Sequence, residues 1–427
     1  MIDIKLLRNQ PDLVRENLKK KFQEAKLPLV DEVLELDINY RAALTEAETL
    51  KSQRNALSKE IGKLMGQGKR DEAEAIKVKV QQEADRLAEL DVEAKRLAEE
   101  IRVRMMVIPN IIDDSVPIGR DDSENVEVER FGEALVPDFE IPYHMDIVEA
   151  LDGASMDTAR RTSGNGFWFL KGDMARLHSA IMSYARDFMI DKGFTYCIPP
   201  YMIRANVVEG VMSFTERDNM MYKVDGEDLY LIGTSEHSMI GQYIDSIIRP
   251  EELPLTLTSS SPCFRKEVGA HGIEERGLYR VHQFEKQEMI VICEPAESMD
   301  WFHKMADITV EFFRTLDIPV RKLECCSGDL ADLKVKSVDV EAWSPRQQKY
   351  FEVGSCSNLG DAQSRRLSIR AKGSDGTYFP HTLNNTVVAP PRMLIAFLEN
   401  NYQEDGTVLI PAVLQPYMGN KTRIVKP

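Results

Sequence analysis

The chain has 427 residues, 43% of them hydrophobic and 29% charged, and a formal net charge of −16. This is the composition of a globular protein of about two domains, and the negative sum excludes a chain that coats nucleic acid with its whole surface. The opening MIDIKLLRNQPDLVRENLKK lacks the apolar core of a signal peptide, no apolar run approaches the ~20 residues of a membrane span, and the six cysteines show no CxxC spacing. A cytoplasmic protein with reduced thiols, no membrane association and no zinc or disulfide framework is therefore expected.

The first predicted element is a long helical hairpin. Positions 33, 36, 40, 43, 47, 50, 54, 57, 61 and 64 follow one another in steps of three and four, and all but Arg54 are apolar or Tyr. Ile76, Val80, Leu87, Leu90, Ala94, Leu97 and Ile101 repeat the pattern, with Glu83 as the interruption. Gly66-Gln67-Gly68-Lys69 separates the two runs and supplies turn geometry. The spacing predicts two antiparallel helices joined along a narrow seam of coiled-coil type, each ~50 Å long at 1.5 Å per residue. A dimerisation rod would have the same periodicity, but the charge suggests another use. Residues 51–79 carry eight positive groups (Lys51, Arg54, Lys59, Lys63, Lys69, Arg70, Lys77, Lys79) against four acids. A basic extended arm suits the backbone of an RNA, which is read largely by shape and phosphates. GKLMGQGK within this segment is not a phosphate-binding loop, because its first glycine is one residue too distant and Arg70 stands where Ser or Thr is required.

The helical pattern stops after Met105, and VIPNIIDDSVPIGRDDSEN reads as a linker. The expected organisation is an arm over residues 1–106, a linker over 107–120 and a second domain over 121–427. In that domain strand-like runs (YLIGTSEHSM, EMIVIC, KYFEVGSCSN) do not alternate strictly with amphipathic helices. An α+β fold with a largely antiparallel sheet and helices packed on it follows. None of the seven histidines has metal-site spacing.

Residues 264–288, FRKEVGAHGIEERGLYRVHQFEKQE, read as two strands joined by a glycine-bearing loop at 268–279. Strand alternation places Arg265 and Glu267 on one face, and Arg280, His282, Phe284, Lys286 and Glu288 on one face of the return strand. A solvated hairpin with cross-strand ion pairs would satisfy the pattern. A platform for a nucleotide and an amino acid would also use each residue type: guanidinium for phosphate and carboxylate, ring for purine, carboxylate for amine or hydroxyl.

FRKE, a loop and RxxxF resemble motif 2 of the class II aminoacyl-tRNA synthetases. Taken with MIDIKLLRNQPDLV, the helical hairpin, DKGFTYCIPPYMI (similar to motif 1), GTSEH, FEVGSCSN, HTLNNT and APPRMLIAFLENN (similar to motif 3), essentially the whole chain resembles seryl-tRNA synthetases of the bacterial type. The resemblance implies a class II catalytic domain behind a tRNA-binding arm. Its activity would be ATP- and Mg²⁺-dependent activation of L-serine to seryl-adenylate, with transfer to tRNA(Ser); whether a tRNA for selenocysteine is also charged stays open. A homodimer is implied, one subunit's arm serving the other's active site.

By the same resemblance, Arg265 bridges serine carboxylate and α-phosphate, Glu267 reads the adenine amine, Phe284 stacks on the ring and Val281 lines its pocket. Arg392 holds the γ-phosphate, and Glu352 and Ser355 bind Mg²⁺ and phosphates, with Lys266, Val353 and Gly354 also in the ATP site. Thr234, Ser235, Glu236, Glu288 and Thr386, together with Arg265, form the serine site, and the basic residues of the arm contact tRNA. The chain reads TSE, VGS, Thr386 and Pro390-Pro391 where TAE, ISS, serine and glycine are commoner, and none of these departures removes a charged group.

Overall fold

The structure, a computed structural model, describes residues 1–268, 277–374 and 376–426. The chain divides into two compact units, one comprising Ile2–Lys19 and Gln23–Ile108, the other Pro109–Pro427 with Met1 and Lys20–Phe22.

The first unit contains α1 (Ile4–Asn9), α2 (Pro11–Lys20), α3 (Pro28–Gly66) and α4 (Arg70–Val107). Proline at the first position of α2 and of α3 gives up only an amide that has no helical partner there. The turn between the long helices uses Gly68 at φ +76°, a conformation that favours glycine. The predicted seam is the observed one. Val33, Ala43 and Ala47 are buried on α3 and the other spaced positions half-buried, while Leu87, Leu90, Leu97 and Ile101 are buried on α4. Ala43 and Ala47 cluster with Leu87 and Leu90, so small side chains face large ones and the helices close tightly.

Both interruptions of the seam have a structural expression. Arg54 is half-buried, and Glu83 is 8% exposed with Oε2 lacking a hydrogen-bond partner. A further polar group, Asp37, is 1% exposed and takes Arg8 Nη2 on Oδ1 at 2.6 Å and Arg41 Nε on Oδ2 at 2.9 Å. Asp37 thereby fastens α1 to the root of the hairpin. Of the eight basic groups, Lys69 and Lys77 form ion pairs with Glu72 and Glu74 three residues away. Arg54 is half-buried, and the other seven are exposed.

The second unit is built on an eight-stranded sheet whose strands in chain order are β1 (Val126–Phe131), β2 (Thr195–Cys197), β3 (Leu255–Phe264), β4 (Gln283–Cys293), β5 (Val320–Glu324), β6 (Lys336–Ser344), β7 (Lys349–Asn358) and β8 (His381–Val388). The spatial order is β1-β5-β6-β7-β8-β4-β3-β2. Every pair is antiparallel except β2 with β3. Helices α5 (Gly172–Asp191), α7 (Ser298–Thr315) and α8 (Pro390–Asn401) contribute to the main core, with the short α6 (Ser235–Gly241) in a second cluster.

Alternation along β4 allocates its residues. Met289, Val291 and Cys293 enter the core with Phe302, Phe313 and Phe397, Ile290 and Ile292 join the second cluster, and Phe284, Lys286 and Glu288, of their parity, line a cavity.

The expected hairpin is shorter than its sequence implied. β3 ends at Phe264, so Arg265 and Glu267 lie beyond the ladder, and Glu267 takes φ +48°. Residues 269–276 of the anticipated loop lie outside the described residues. The return strand begins at Gln283, and His282 leaves the shared face: its Nδ1 lies 2.9 Å from the carbonyl oxygen of Arg265 and its ring packs on Phe167. Residues expected to be a linker are packed within the second unit. Ile112 and Val116 are buried, and the Asn110 side-chain amide donates to the carbonyls of Leu333 and Leu359 at 3.1 and 2.8 Å.

Candidate active site

One cavity of about 350 Å³ opens on the face of the sheet carrying Phe284, Lys286 and Glu288. Both Arg265 and Arg392 line it, together with Thr234, Glu236, Glu267, Val281, Phe284, Glu288, Glu352, Val353, Gly354, Ser355 and Thr386. Ser235 and Lys266 do not line it. Ser235 is fully buried at the first residue of α6, and Lys266 Nζ donates to the carbonyl of Asp218.

Each side chain has a local reason for its position. Arg265 donates its amide to the carbonyl of His282 and Nε to the carbonyl of Gly233 at 3.0 Å, and its guanidinium stands 5.3 Å from the Phe284 ring centroid. Nε is thus used in orienting the fork, which lines the cavity. Glu267 pairs with Arg280 at 3.1 Å. Arg392 is the third residue of α8; its Nη1 meets Glu352 Oε2 at 2.8 Å, and the guanidinium packs over Tyr279 at 4.7 Å. Burial alone would push the Glu352 carboxyl up, but Arg392, with Lys334 and Arg265 behind it, holds it below its ordinary value.

A regular strand would turn Glu352 and Ser355 to opposite faces. Here the pairing steps from Glu352↔Glu341 to Gly354↔Val340, a bulge that inserts one unpaired residue and returns Ser355 to the cavity side. Ser355 pairs across the ladder with Asp339, whose carboxyl is pushed up to about 7 by burial and then by the Glu352 charge. A second bulge follows Thr386, which is opposite Glu288.

At the other end, Thr234 caps α6, its hydroxyl accepting from the Glu236 amide at 3.3 Å. Glu236 receives Gln363 Nε2 at 2.8 Å, and Gln363 Oε1 in turn accepts from Thr382. Burial, then the neighbouring Glu288 carboxylate, raise the Glu236 carboxyl to about 7. Burial, then Arg265 and Lys286, lower His237 to about 3, so it is neutral, and its buried Nδ1 has no hydrogen-bond partner.

Sequence reading gave no role to His237, Lys286 or Lys334, all of which line the cavity. Strand parity did place Lys286 on the correct face, whereas His237 and Lys334 carry no pattern that would single them out. Among the described residues no group of three or more His, Cys, Asp or Glu is arranged to hold a metal ion by itself, and no helix is long and apolar enough to cross a membrane. All six cysteines are unpaired.

An antiparallel sheet that presents two arginines to one cleft, from a strand end and from a helix start, defines the core of a class II synthetase. The pattern of the tRNA synthetase class II core domain (G, H, P, S and T) accordingly matches residues 221–401, and that of the seryl-tRNA synthetase N-terminal domain matches residues 1–112. The serine–tRNA ligase of Methanospirillum hungatei is 41% identical over 424 residues, 99% of either chain. The crystal structure of seryl-tRNA synthetase from Pyrococcus horikoshii complexed with ATP superposes with a TM-score of 0.94 at 39% identity over 100% of both chains. The cytoplasmic serine–tRNA ligase of Naegleria fowleri in complex with AMP gives a TM-score of 0.88 at 32% identity, covering 99% of this chain and 98% of that one. The chain belongs to the seryl-tRNA synthetase family. The Methanospirillum and Pyrococcus relatives are archaeal, and the bacterial-type expectation finds no support in them.

Proposed function

We propose that the protein activates L-serine with ATP, forming seryl-adenylate and pyrophosphate, and transfers the seryl group to tRNA(Ser). The observation that carries this reading is the single cavity shared by Arg265 and Arg392. Two anions, a carboxylate and a triphosphate, repel each other, and fixed guanidinium groups between them offset that repulsion without reorganising. Arg265 holds the serine carboxylate against the α-phosphate for in-line attack, and Arg392 holds the γ-phosphate as pyrophosphate leaves. Phe284 and Val281 enclose the adenine, Glu267 accepts from its amine, and the backbone of Val353 and Gly354 borders the phosphates, with Lys266 supporting the strand end from outside the cavity. Thr234, Glu236, Glu288 and Thr386 receive serine, and Ser235 supports them from beneath.

Glu352 and Ser355, brought together by the bulge, fit Mg²⁺ as a pair of oxygen donors. One or two carboxylates with substrate phosphates are the usual way this ion is held. Bound there, the ion would neutralise phosphate charge and fix phosphate geometry.

The proposed organisation is a tRNA-binding arm (1–106), a connecting segment (107–120) and a catalytic domain (121–427), in a cytoplasmic homodimer. Ile198 and Met202, within the motif-1-like segment, are 75% and 49% exposed, which supports an apolar subunit interface there.

ATP–pyrophosphate exchange with a panel of amino acids tests the activity. Serine is expected to support exchange and alanine to fail by orders of magnitude, because alanine leaves the polar groups unpaired. Absence of serine-dependent exchange would reject the reading.

The raised Glu236 carboxyl gives a pH signature. In the empty cavity it is protonated below about 7, and only its ionised form can pair with the substrate ammonium. Serine binding should release a proton, and the serine KM should rise about tenfold per pH unit below that value while the ATP KM stays flat. Glu288→Gln, which removes the neighbouring charge, should move the break to lower pH. Parallel serine and ATP KM profiles would refute this.

A further inference from the structure

The serine end of the cavity contains a charge arrangement that the proposed reaction does not by itself require. Lys286 and Glu288, both lining the cavity, are 6% and 1% exposed, and the Lys286 ammonium forms an ion pair with Glu288 Oε2. The two residues share one face of β4 two positions apart, where a long side chain reaches the next side chain on that face. Glu288 is also pinned from its backbone, because Thr258 donates its hydroxyl to the Glu288 carbonyl at 2.7 Å. Among the described residues no hydrogen-bond donor satisfies Oε2 in addition to that ion pair.

A buried carboxylate without a counter-charge would take up a proton, and a protonated carboxyl would present a donor as readily as an acceptor. At Glu288 the Lys286 ammonium is that counter-charge. Its neighbour Glu236 has a neutral hydrogen-bond partner, the amide of Gln363, with Lys286 and Lys334 acting on it from farther off. Lys286 is thus engaged with Glu288, and Glu236 faces the same cavity with a carboxylate to offer the one ammonium of an amino acid.

We propose that Lys286 is a specificity-determining positioning residue of the serine site, holding Glu288 oriented through their ion pair to accept the substrate hydroxyl and leaving Glu236 for the α-ammonium. This inference rests on the proposed activity. A purely structural ion pair would affect folding and all substrates alike, whereas a positioning role affects serine alone.

The test is exchange kinetics of the full chain with serine, alanine and ATP varied separately. Lys286→Met is expected to raise the serine KM by roughly 10- to 100-fold, leave the ATP KM within about threefold, and lower the serine-over-alanine preference by about tenfold or more. Lys286→Arg should recover part of that preference. Equal rises for serine and ATP, or an unchanged preference, would overturn the proposal.

Should Lys286→Met fail to fold, the comparison is Glu288→Gln with the double variant Lys286→Met/Glu288→Gln, which buries no lone charge. If Lys286 acts through Glu288, the two have the same serine KM and preference within about twofold; a further tenfold loss in the double variant would refute it. A wild-type chain inert to serine would instead defeat the activity itself, a result separable from any difference between variants.

Discussion

Arg265→Gln is expected to lower kcat/KM for serine-dependent ATP–pyrophosphate exchange by at least ~10³-fold while leaving the thermal midpoint nearly unchanged. The kinetic effect is large if, as proposed, the guanidinium lies where both reacting anions need positive charge. The stability effect is small because, among the described residues, the half-buried side chain makes a single hydrogen bond to the body of the protein, Nε to the carbonyl of Gly233. Gln can keep a donor near that carbonyl but brings no charge. Arg265→Lys should rescue little, since an ammonium cannot hold a carboxylate and a phosphate with two parallel bonds. Exchange within about tenfold of wild type in Arg265→Gln would place the reacting carboxylate elsewhere.

The second large effect concerns the helical hairpin. Removing residues from about 31 to 100 should leave serine activation within a few-fold and abolish tRNA charging. The excision is structurally reasonable because the stems are adjacent: Lys26 Nζ donates to the Val107 carbonyl at 3.0 Å, beside the root that Asp37 braces. Replacing Lys59, Lys63, Arg70 and Lys79 with Glu in the intact chain should reproduce the loss in charging, and wild-type charging should weaken steeply with salt, as phosphate contacts do. Charging that survives the deletion would remove the RNA-gripping role from the arm.

How far the sequence revealed these features depended on how regular the backbone is. The hairpin seam was legible to the residue because along the arm each long helix packs chiefly on the other, so the spacing of apolar positions and the buried face coincide. Asp37 escaped that reading because its burial comes from Arg8 on another helix. In the sheet, alternation located Phe284, Lys286 and Glu288, which lie inside β4. It failed for His282, which precedes that strand, and it gave Arg265 and Glu267 the wrong reason for their position, since both follow the end of β3. The chemistry of the site was carried by the joint pattern of motifs. Lys334, whose ammonium lies 3.3 Å from the Ser337 hydroxyl, belongs to no motif and needed the folded chain to be noticed.

The extra residue between Glu352 and Gly354 makes the cavity face sensitive to chain length as well as to composition. An apolar exchange at Val353 preserves the count and so preserves which way Ser355 points. Omitting any one residue between 352 and 355 would restore an uninterrupted ladder and rotate the hydroxyl half a turn away from Glu352, out of the cavity, although every functional group was still encoded.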